Sequence, residues 1–201
     1  MSFITVDDVP GLEIIGLHGK AGSGKDTFAD FIVECNGGFN GGWKKMALAQ
    51  TVKDAASVLL HKPVEYMEGY KDTPLPELGV SSRKIYQELG EAMIDRIHPE
   101  FWVYVTAQRI LQEYAQGVRK IIFTDVRYPC TARLIKDLEG HLVHIIRPKP
   151  STWGFLSCLE PIWDTMSSVR SEKPLDESLI DKVIVNSKDL RWLRWQATLL
   201  L

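Results

Sequence analysis

The residues best suited to chemistry lie in one glycine-rich segment that follows a short apolar run. Read from Gly19, the segment has the spacing G-x-x-x-x-G-K, which ends at Gly24 and Lys25 and leads into a helical pattern. Glycines let successive backbone N–H groups turn into one concavity, and the following helix adds the positive end of its dipole. The lysine can then reach the outer phosphates of a nucleoside triphosphate, so the segment predicts a phosphate-binding loop. The predicted contact residues are Gly19, Ala21, Gly22, Ser23, Gly24, Lys25, Asp26 and Thr27.

Asp26 departs from the usual form of this motif, in which serine or threonine follows the lysine and binds Mg²⁺. A glycine-rich turn that only caps a helix is the simplest alternative, and the flanking strand and helix patterns argue against it. A dinucleotide-binding loop is also disfavoured. The third glycine of that motif is missing, and no acidic residue ends an apolar strand about 20 residues further on.

A second candidate group, Asp125 and Arg127, follows the apolar run at 120–124. An aspartate at the carboxyl end of a buried strand lies near the phosphate loop in this kind of sheet, where it can serve Mg²⁺ or orient a substrate hydroxyl. Arg127 can grip a phosphate through two parallel hydrogen bonds. The alternative for Asp125 is that it caps the helix that follows.

The elements that must position these residues alternate between apolar strands and amphipathic helices. Strands are predicted at 13–17, 120–124, 142–146 and 182–185, with a weaker one at 43–47. Helices are predicted at 25–35, 49–60, 81–95, 99–116, 129–139 and 188–199. This alternation predicts an α/β fold of three layers, in which a five-stranded parallel sheet carries helices on both faces. The broad apolar face of the last helix is interpreted as core, and a homodimer contact is the second interpretation.

Composition limits the class of protein. The 201 residues carry a net charge of −2, which does not favour binding to polymeric nucleic acid or to a membrane surface. The chain reads as a single domain, 1–201, without a signal peptide or an apolar run of about 18 residues. Three scattered cysteines are typical of a reducing cytoplasm.

Motifs of two other nucleotide-dependent classes are missing. The nearest approach to the guanine motif N-K-x-D of GTPases is Asn186-Ser-Lys-Asp189, with the lysine misplaced. The H-R-D and D-F-G signatures of protein kinases do not occur.

Four segments together carry a resemblance to a known family. They are Gly24-Lys-Asp-Thr27, Gln87-Glu-Leu-Gly90, His98-Pro-Glu-Phe-Trp102 and Thr124-Asp-Val-Arg-Tyr-Pro129. The chain thereby resembles the bacteriophage-type deoxynucleoside monophosphate kinases, which belong to the P-loop nucleoside monophosphate kinase group. The resemblance implies that group's fold and transfer of the γ-phosphoryl group of ATP to a deoxynucleoside 5′-monophosphate, in the host cytoplasm if the protein is phage-encoded.

The resemblance also implies roles for individual residues. The phosphate loop would hold ATP, with Asn186 near the adenine, and Asp26 and Asp125 would serve Mg²⁺. The acceptor pocket would be formed by a helical region at about 60–117, with Arg83, Gln87, Arg96 and Trp102, and by Arg127 beyond that region. The residues expected to act on the transferring group are Lys25, Asp125, Arg127 and Arg170.

Alternatives remain open at several of these positions. Trp102 could be plain core, and Arg83 and Arg96 could lie on a solvated helix face. The segment 148–176 shows no clear period and is the candidate lid, yet between Arg147 and Arg170 its only basic residue is Lys149. A P-loop kinase for dephospho-coenzyme A or phosphomevalonate, or a non-catalytic nucleotide-binding regulator, is the competing function.

Overall fold

A five-stranded parallel sheet lies at the centre of the protein. The structure is a computed structural model that describes residues 3–35, 42–148 and 175–200. The strands are β1 (Glu13–His18), β2 (Trp43–Met46), β3 (Lys120–Phe123), β4 (His141–Ile146) and β5 (Lys182–Val185). They are arranged in the order β2-β3-β1-β4-β5, and every neighbouring pair is parallel. From β1 the chain continues to β2 on one side of the sheet, and from β3 it continues to β4 on the other side of β1. The segments that follow β1 and β3 therefore leave the sheet side by side at the carboxyl ends of the strands.

Seven α-helices lie in the described part of the chain. They are α1 (Lys25–Cys35), α2 (Leu48–Leu60), α3 (Val64–Gly69), α4 (Ser82–Arg96), α5 (Phe101–Ala115), α6 (Pro129–Asp137) and α7 (Leu190–Thr198). Short 3₁₀ turns cover Val6–Asp8 and Glu177–Leu179.

The strands alternate their side chains between two apolar layers, as the period of two in a β-strand requires. On one face, Ile14, Ile121 and Leu142 belong to a cluster with buried residues of α5 and α6. On the other face, Ile15, Ile122 and Val143 belong to a cluster with buried residues of α1 and α7. Helices therefore cover both faces of the sheet, and the predicted three-layer fold is confirmed.

Helix α2 packs against both α3 and α4, and α4 also contacts α5. Of these, α3 was absent from the sequence-based assignment. It has only six residues and begins directly after Pro63, so a search for an extended amphipathic period passes over it.

The apolar face of α7 is only partly core. Leu193 and Ala197 are buried, whereas Leu190 is 64% exposed and Trp195 is 50% exposed. The prediction that Leu190 belongs to a buried stripe is therefore wrong, because the stripe that meets the sheet is narrower than the run of apolar residues. The predicted homodimer contact stays a prediction.

No helix in the described ranges combines the length and the apolar character needed to cross a lipid bilayer. Arg170 and nearly all of the predicted insertion at 148–176 lie outside the described residues.

Candidate functional site

The glycine-rich segment turns sharply between β1 and α1. Gly19, Gly22 and Gly24 have φ angles of +143°, +75° and +100°, which favour glycine over any residue with a Cβ. Two of them are also confined by their neighbours. A Cβ on Gly19 would lie 2.3 Å from the carbonyl oxygen of Ile145, and one on Gly24 would lie 2.6 Å from the side-chain nitrogen of Asn186. The spacing of the glycines is thus fixed by backbone conformation and by packing together.

The Lys25 side chain folds back across this loop. Its ammonium group donates hydrogen bonds of 2.7 Å to the carbonyl oxygens of Gly19 and Lys20. Burial lowers the pKa of Lys25, and the nearby positive charge of Arg127 lowers it further, while Asp26 and Asp125 act in the opposite direction. A phosphate that takes the place of the carbonyls would give this half-buried cation charge-assisted hydrogen bonds.

Ser23 and Asn186 join the loop to the end of β5. The buried Asn186 amide donates a hydrogen bond of 2.9 Å to the Ser23 carbonyl oxygen. The Ser23 hydroxyl is itself buried and has no partner among the residues that the structure covers. A hydroxyl without a partner inside an anion-binding loop fits a site for phosphate oxygens. The predicted contact of Asn186 with adenine stays a prediction; in the structure the Asn186 amide supports the loop.

Asp125 lies where β3 ends, next to the end of β1. The backbone N–H of Val126 donates a hydrogen bond of 3.0 Å to the Leu17 carbonyl oxygen, which ties the two strand ends together. The two carboxylate oxygens of Asp125 accept hydrogen bonds of 2.6 and 2.9 Å from the backbone N–H groups of Leu48 and Ala49. Asp125 therefore caps α2. Capping of the following helix, α6, was the predicted alternative for Asp125, and the structure shows no side-chain cap there.

The oxygen donors beside the loop suit Mg²⁺. Asp26 is exposed at the start of α1, Thr27 follows it, and each Asp125 oxygen retains acceptor capacity beyond its backbone hydrogen bond. No group of three or more His, Cys, Asp or Glu side chains in the described ranges could hold a metal ion. Mg²⁺ in phosphoryl-transfer sites commonly takes one or two carboxylates and completes its shell with phosphate and water, so Asp26 and Asp125 would be enough protein ligands, and their role at Mg²⁺ stays a prediction.

An open cavity with a volume of about 120 Å³ adjoins this edge of the sheet. Its walls come from α2, α4 and α5 and from the segment after β3, and they include Lys53, Tyr86, Gln87, Glu91, Trp102, Asp125 and Arg127. Four residues predicted for the site, at positions 87, 102, 125 and 127, thus come together around one cavity.

Hydrogen bonds and ion pairs fix the cavity wall. The Trp102 indole N–H donates a hydrogen bond of 2.9 Å to the Gly90 carbonyl oxygen, which joins α5 to α4. Lys53 pairs with Glu68 at 3.2 Å. Burial raises the pKa of the Tyr86 hydroxyl, with a further contribution from Glu68. Tyr86 therefore stays neutral at physiological pH and supplies a wall that is apolar apart from its hydroxyl group.

Two predicted acceptor residues do not line the cavity. Arg83 lies at the start of α4, where its Nε donates a hydrogen bond of 2.7 Å to Asp72. Arg96 is exposed at the other end of the same helix. Their predicted role in the acceptor pocket stays a prediction, and neither side chain lines the cavity that Gln87 and Trp102 line.

Sequence reasoning missed Lys53, Tyr86 and Glu91, which the fold brings to the cavity. For Glu91 a signal was available, since it follows Gln87 by four residues and must share its face of the helix. For Lys53 and Tyr86 no local pattern existed, because their place depends on how α2 packs against α4.

Comparison with known proteins finds a related sequence and similar structures. No protein-family profile matches the chain. A protein of Acanthamoeba polyphaga mimivirus named "Putative deoxynucleotide monophosphate kinase" is 28% identical over 148 residues, which span 67% of this chain and 74% of the viral protein. Dephospho-CoA kinase from Campylobacter jejuni matches 94% of this chain and 95% of its own with a TM-score of 0.44 and 13% identity. The sequence likeness to the viral protein, together with the phosphate loop, supports a P-loop kinase.

Proposed function

We propose that the protein transfers the γ-phosphoryl group of ATP to a deoxynucleoside 5′-monophosphate, which yields ADP and the deoxynucleoside diphosphate. The observation that carries this proposal is the cavity next to the phosphate loop, lined by Arg127 and Asp125 towards the loop and by Gln87 and Trp102 on α4 and α5. A phosphate-binding loop beside a cavity that has a cation at one end and an amide with an aromatic ring at the other suits a nucleotide acceptor. The viral relative's name agrees with this choice of acceptor.

In this proposal the phosphate loop and Lys25 hold the phosphates of ATP. An oxygen of the acceptor's monophosphate forms a new bond to the γ-phosphorus, and the bond between that phosphorus and the bridging oxygen of ADP breaks. Arg127 neutralises charge on the acceptor phosphate, and its influence on the pKa of Lys25 is consistent with a position close to both phosphates. Mg²⁺ held by Asp26 and Asp125 would supply further neutralisation of the phosphate oxygens.

The helical region at about 60–117 is the proposed acceptor domain, together with the first turns of α2. Lys53 of α2 adds a second cation to the cavity wall. Trp102 offers an aromatic surface to the base, and its hydrogen bond to Gly90 holds the ring in place. The segment 148–176 remains the proposed lid and Arg170 its proposed cation.

The test is an acceptor panel. The protein is incubated with Mg-ATP and, separately, with each common deoxynucleoside and ribonucleoside monophosphate, dephospho-coenzyme A and phosphomevalonate. ADP formation is followed, and products are identified by mass spectrometry. We expect a diphosphate product with at least one deoxynucleoside monophosphate and none with Lys25→Met. Turnover of only a non-nucleotide acceptor, or ATP binding without turnover of any acceptor, would overturn the proposal.

A further inference from the structure

Two polar side chains of α4 face the cavity one helical turn apart. Gln87 and Glu91 both line the cavity, and both are half-buried. Neither side chain makes a hydrogen bond or an ion pair with any residue in the ranges 3–35, 42–148 and 175–200. Their polar atoms are open to the cavity, so an amide and a carboxylate on one cavity wall are both available to polar groups of a ligand.

The wall around these two groups is rigid. Gly90 precedes Glu91, and its carbonyl oxygen accepts the hydrogen bond from the Trp102 indole. Gly90 is buried, and a Cβ added to it would meet no atom within 4 Å. The absent side chain therefore leaves open space beside Glu91, and the neighbouring ring closes that space from α5.

The two groups differ in what they can recognise. The Glu91 carboxylate only accepts hydrogen bonds and can accept two in parallel, whereas the Gln87 amide both donates and accepts. A base that satisfies both must therefore present two adjacent donors and, next to them, an acceptor. Guanine has this arrangement, with N1–H and the N2 amino group beside O6.

The other bases satisfy this pair less well. Adenine and cytosine each offer one amino group to the carboxylate and no second donor beside it. Thymine offers a single N3–H flanked by two carbonyl oxygens, so the second carboxylate oxygen would face an acceptor. A carboxylate left unpaired and partly desolvated raises the free energy of the complex, so the other bases bind less tightly than guanine.

We propose that Glu91, with Gln87, selects a guanine base, so that deoxyguanosine monophosphate is the preferred acceptor. This inference rests on the proposed function and names the substrate of the same site. Glu91 acts as a specificity-determining residue that touches the base and takes no part in the transfer itself.

The first experiment uses the unaltered protein. Deoxyinosine monophosphate differs from deoxyguanosine monophosphate only by loss of the N2 amino group, so it removes one of the two donors proposed to meet Glu91. We expect kcat/KM for the guanine nucleotide to exceed that for the inosine nucleotide by roughly tenfold, and to exceed that for thymidylate by more. Equal values for the guanine and inosine nucleotides would overturn the assignment.

The second experiment exchanges the carboxylate for an amide. In Glu91→Gln the preference for the guanine over the inosine nucleotide should fall to about twofold or less, because an amide accepts at one oxygen only. Turnover of the inosine nucleotide should fall less than turnover of the guanine nucleotide, because inosine has only its N1–H to donate to residue 91. Glu88→Gln is the matched control, since Glu88 is exposed on the same helix and does not line the cavity, and its preference should match that of the parent. A Glu91→Gln protein that keeps the full preference would refute the role of Glu91.

Binding of the two nucleotides to the free protein, measured by titration calorimetry, provides a readout independent of turnover and should show the same loss of preference. If other deoxynucleoside monophosphates are phosphorylated and guanine is not preferred, the inference fails while the proposed function stands. If no monophosphate is phosphorylated, the proposed function fails.

Discussion

The side-chain amide of Asn186 donates a hydrogen bond of 2.9 Å to the carbonyl oxygen of Ser23. Through it the last strand of the sheet supports a loop that lies between the first strand and the first helix. The same amide nitrogen lies so close to Gly24 that a Cβ there would approach it to 2.6 Å. Asn186 and Gly24 therefore fit together, and the shape of the phosphate loop depends on a residue more than 160 positions away in the chain.

Asn186→Ala should weaken ATP binding without altering the acceptor site. The substitution leaves the Ser23 carbonyl without its buried donor, so we expect the free energy of unfolding to fall by about 1–3 kcal/mol. The Kd for ATP should rise by roughly tenfold, because the loop loses part of its support. Titration calorimetry and thermal unfolding measure the two effects.

The control for this substitution is Gln196→Ala. Gln196 donates a hydrogen bond of 3.3 Å to the Val185 carbonyl oxygen, at the end of the same strand, and this hydrogen bond is exposed to solvent. It should leave the ATP Kd within about twofold of the parent, as surface hydrogen bonds contribute little. An Asn186→Ala protein with normal ATP affinity would remove Asn186 from loop support.

Asp125→Asn should separate capping from catalysis. An asparagine oxygen can accept one of the two N–H groups of α2 that Asp125 now holds, so we expect a loss of about 0.5–2 kcal/mol in the free energy of unfolding. Turnover should fall by more than about tenfold, because the negative charge that serves Mg²⁺ is gone. The assay is ADP release at saturating substrates over a range of magnesium concentrations.

Asp189→Ala is the matched cap control. Asp189 caps α7 by accepting a hydrogen bond of 3.0 Å from the Trp192 N–H, away from the cavity. Its loss should cost about 1 kcal/mol of stability and leave turnover unchanged. If Asp125→Asn loses stability alone, with normal turnover, Asp125 is a cap and nothing more.

On raising the pH, we expect ATP binding to weaken at a lower pH than it would if Lys25 had the pKa of an ordinary lysine. Burial, followed by the charge of Arg127, lowers the pKa of Lys25, and only the protonated ammonium attracts phosphate. As the pH rises through this lowered pKa, Lys25 loses its charge and the Kd for ATP rises. In Lys25→Arg the alkaline loss should move to higher pH, because a guanidinium keeps its proton. Identical alkaline limbs in the two proteins would assign the transition to another group.

Gly90→Ala should make the protein more stable and a poorer kinase. Alanine favours the interior of a helix over glycine by about 0.5–1 kcal/mol, and the added methyl group meets no protein atom within 4 Å. The methyl group would occupy cavity space, so the acceptor KM should rise by roughly tenfold while the ATP KM is unchanged. Thermal unfolding and steady-state kinetics test the two directions together.

Gly69→Ala shows what a glycine substitution does outside the cavity. Gly69 ends α3, is exposed, and likewise has no atom within 4 Å of an added Cβ. We expect no change in acceptor KM. A normal acceptor KM in Gly90→Ala would mean that the base does not lie against α4.

Arg127→Ala should raise the acceptor KM by roughly tenfold to a hundredfold, since hydrogen bonds to charged groups are the stronger kind. Arg96→Ala, at an exposed site away from the cavity, should change it by less than about twofold. Arg83→Ala should behave like Arg96→Ala, because Arg83 is paired with Asp72. A large rise in Arg83→Ala would restore Arg83 to the acceptor site.

The fold could be predicted because its signals are local. Short apolar runs gave the strands, amphipathic periods gave six of the seven described helices, and the glycine spacing gave the loop. The narrow core stripe of α7 could not be predicted, since the sequence does not reveal how far the sheet extends beneath a helix.

The candidate site was less accessible to prediction because it is assembled from distant segments. Gln87 and Trp102 were found through motif resemblance, and the structure brings both to the cavity. The capping of α2 by Asp125 and the support of the loop by Asn186 join residues 77 and 163 positions apart. Such pairs leave no periodic signal in the sequence.

The two carbonyl oxygens that hold the Lys25 ammonium set a threshold for anions. The ammonium group already donates to these carbonyl oxygens, so the oxygens of a ligand must replace the carbonyls as acceptors. A single orthophosphate gains little from that exchange, whereas a polyphosphate chain can satisfy the lysine and the loop N–H groups at once. The loop would therefore discriminate by the number of linked phosphates, and would remain free of the abundant small anions around it.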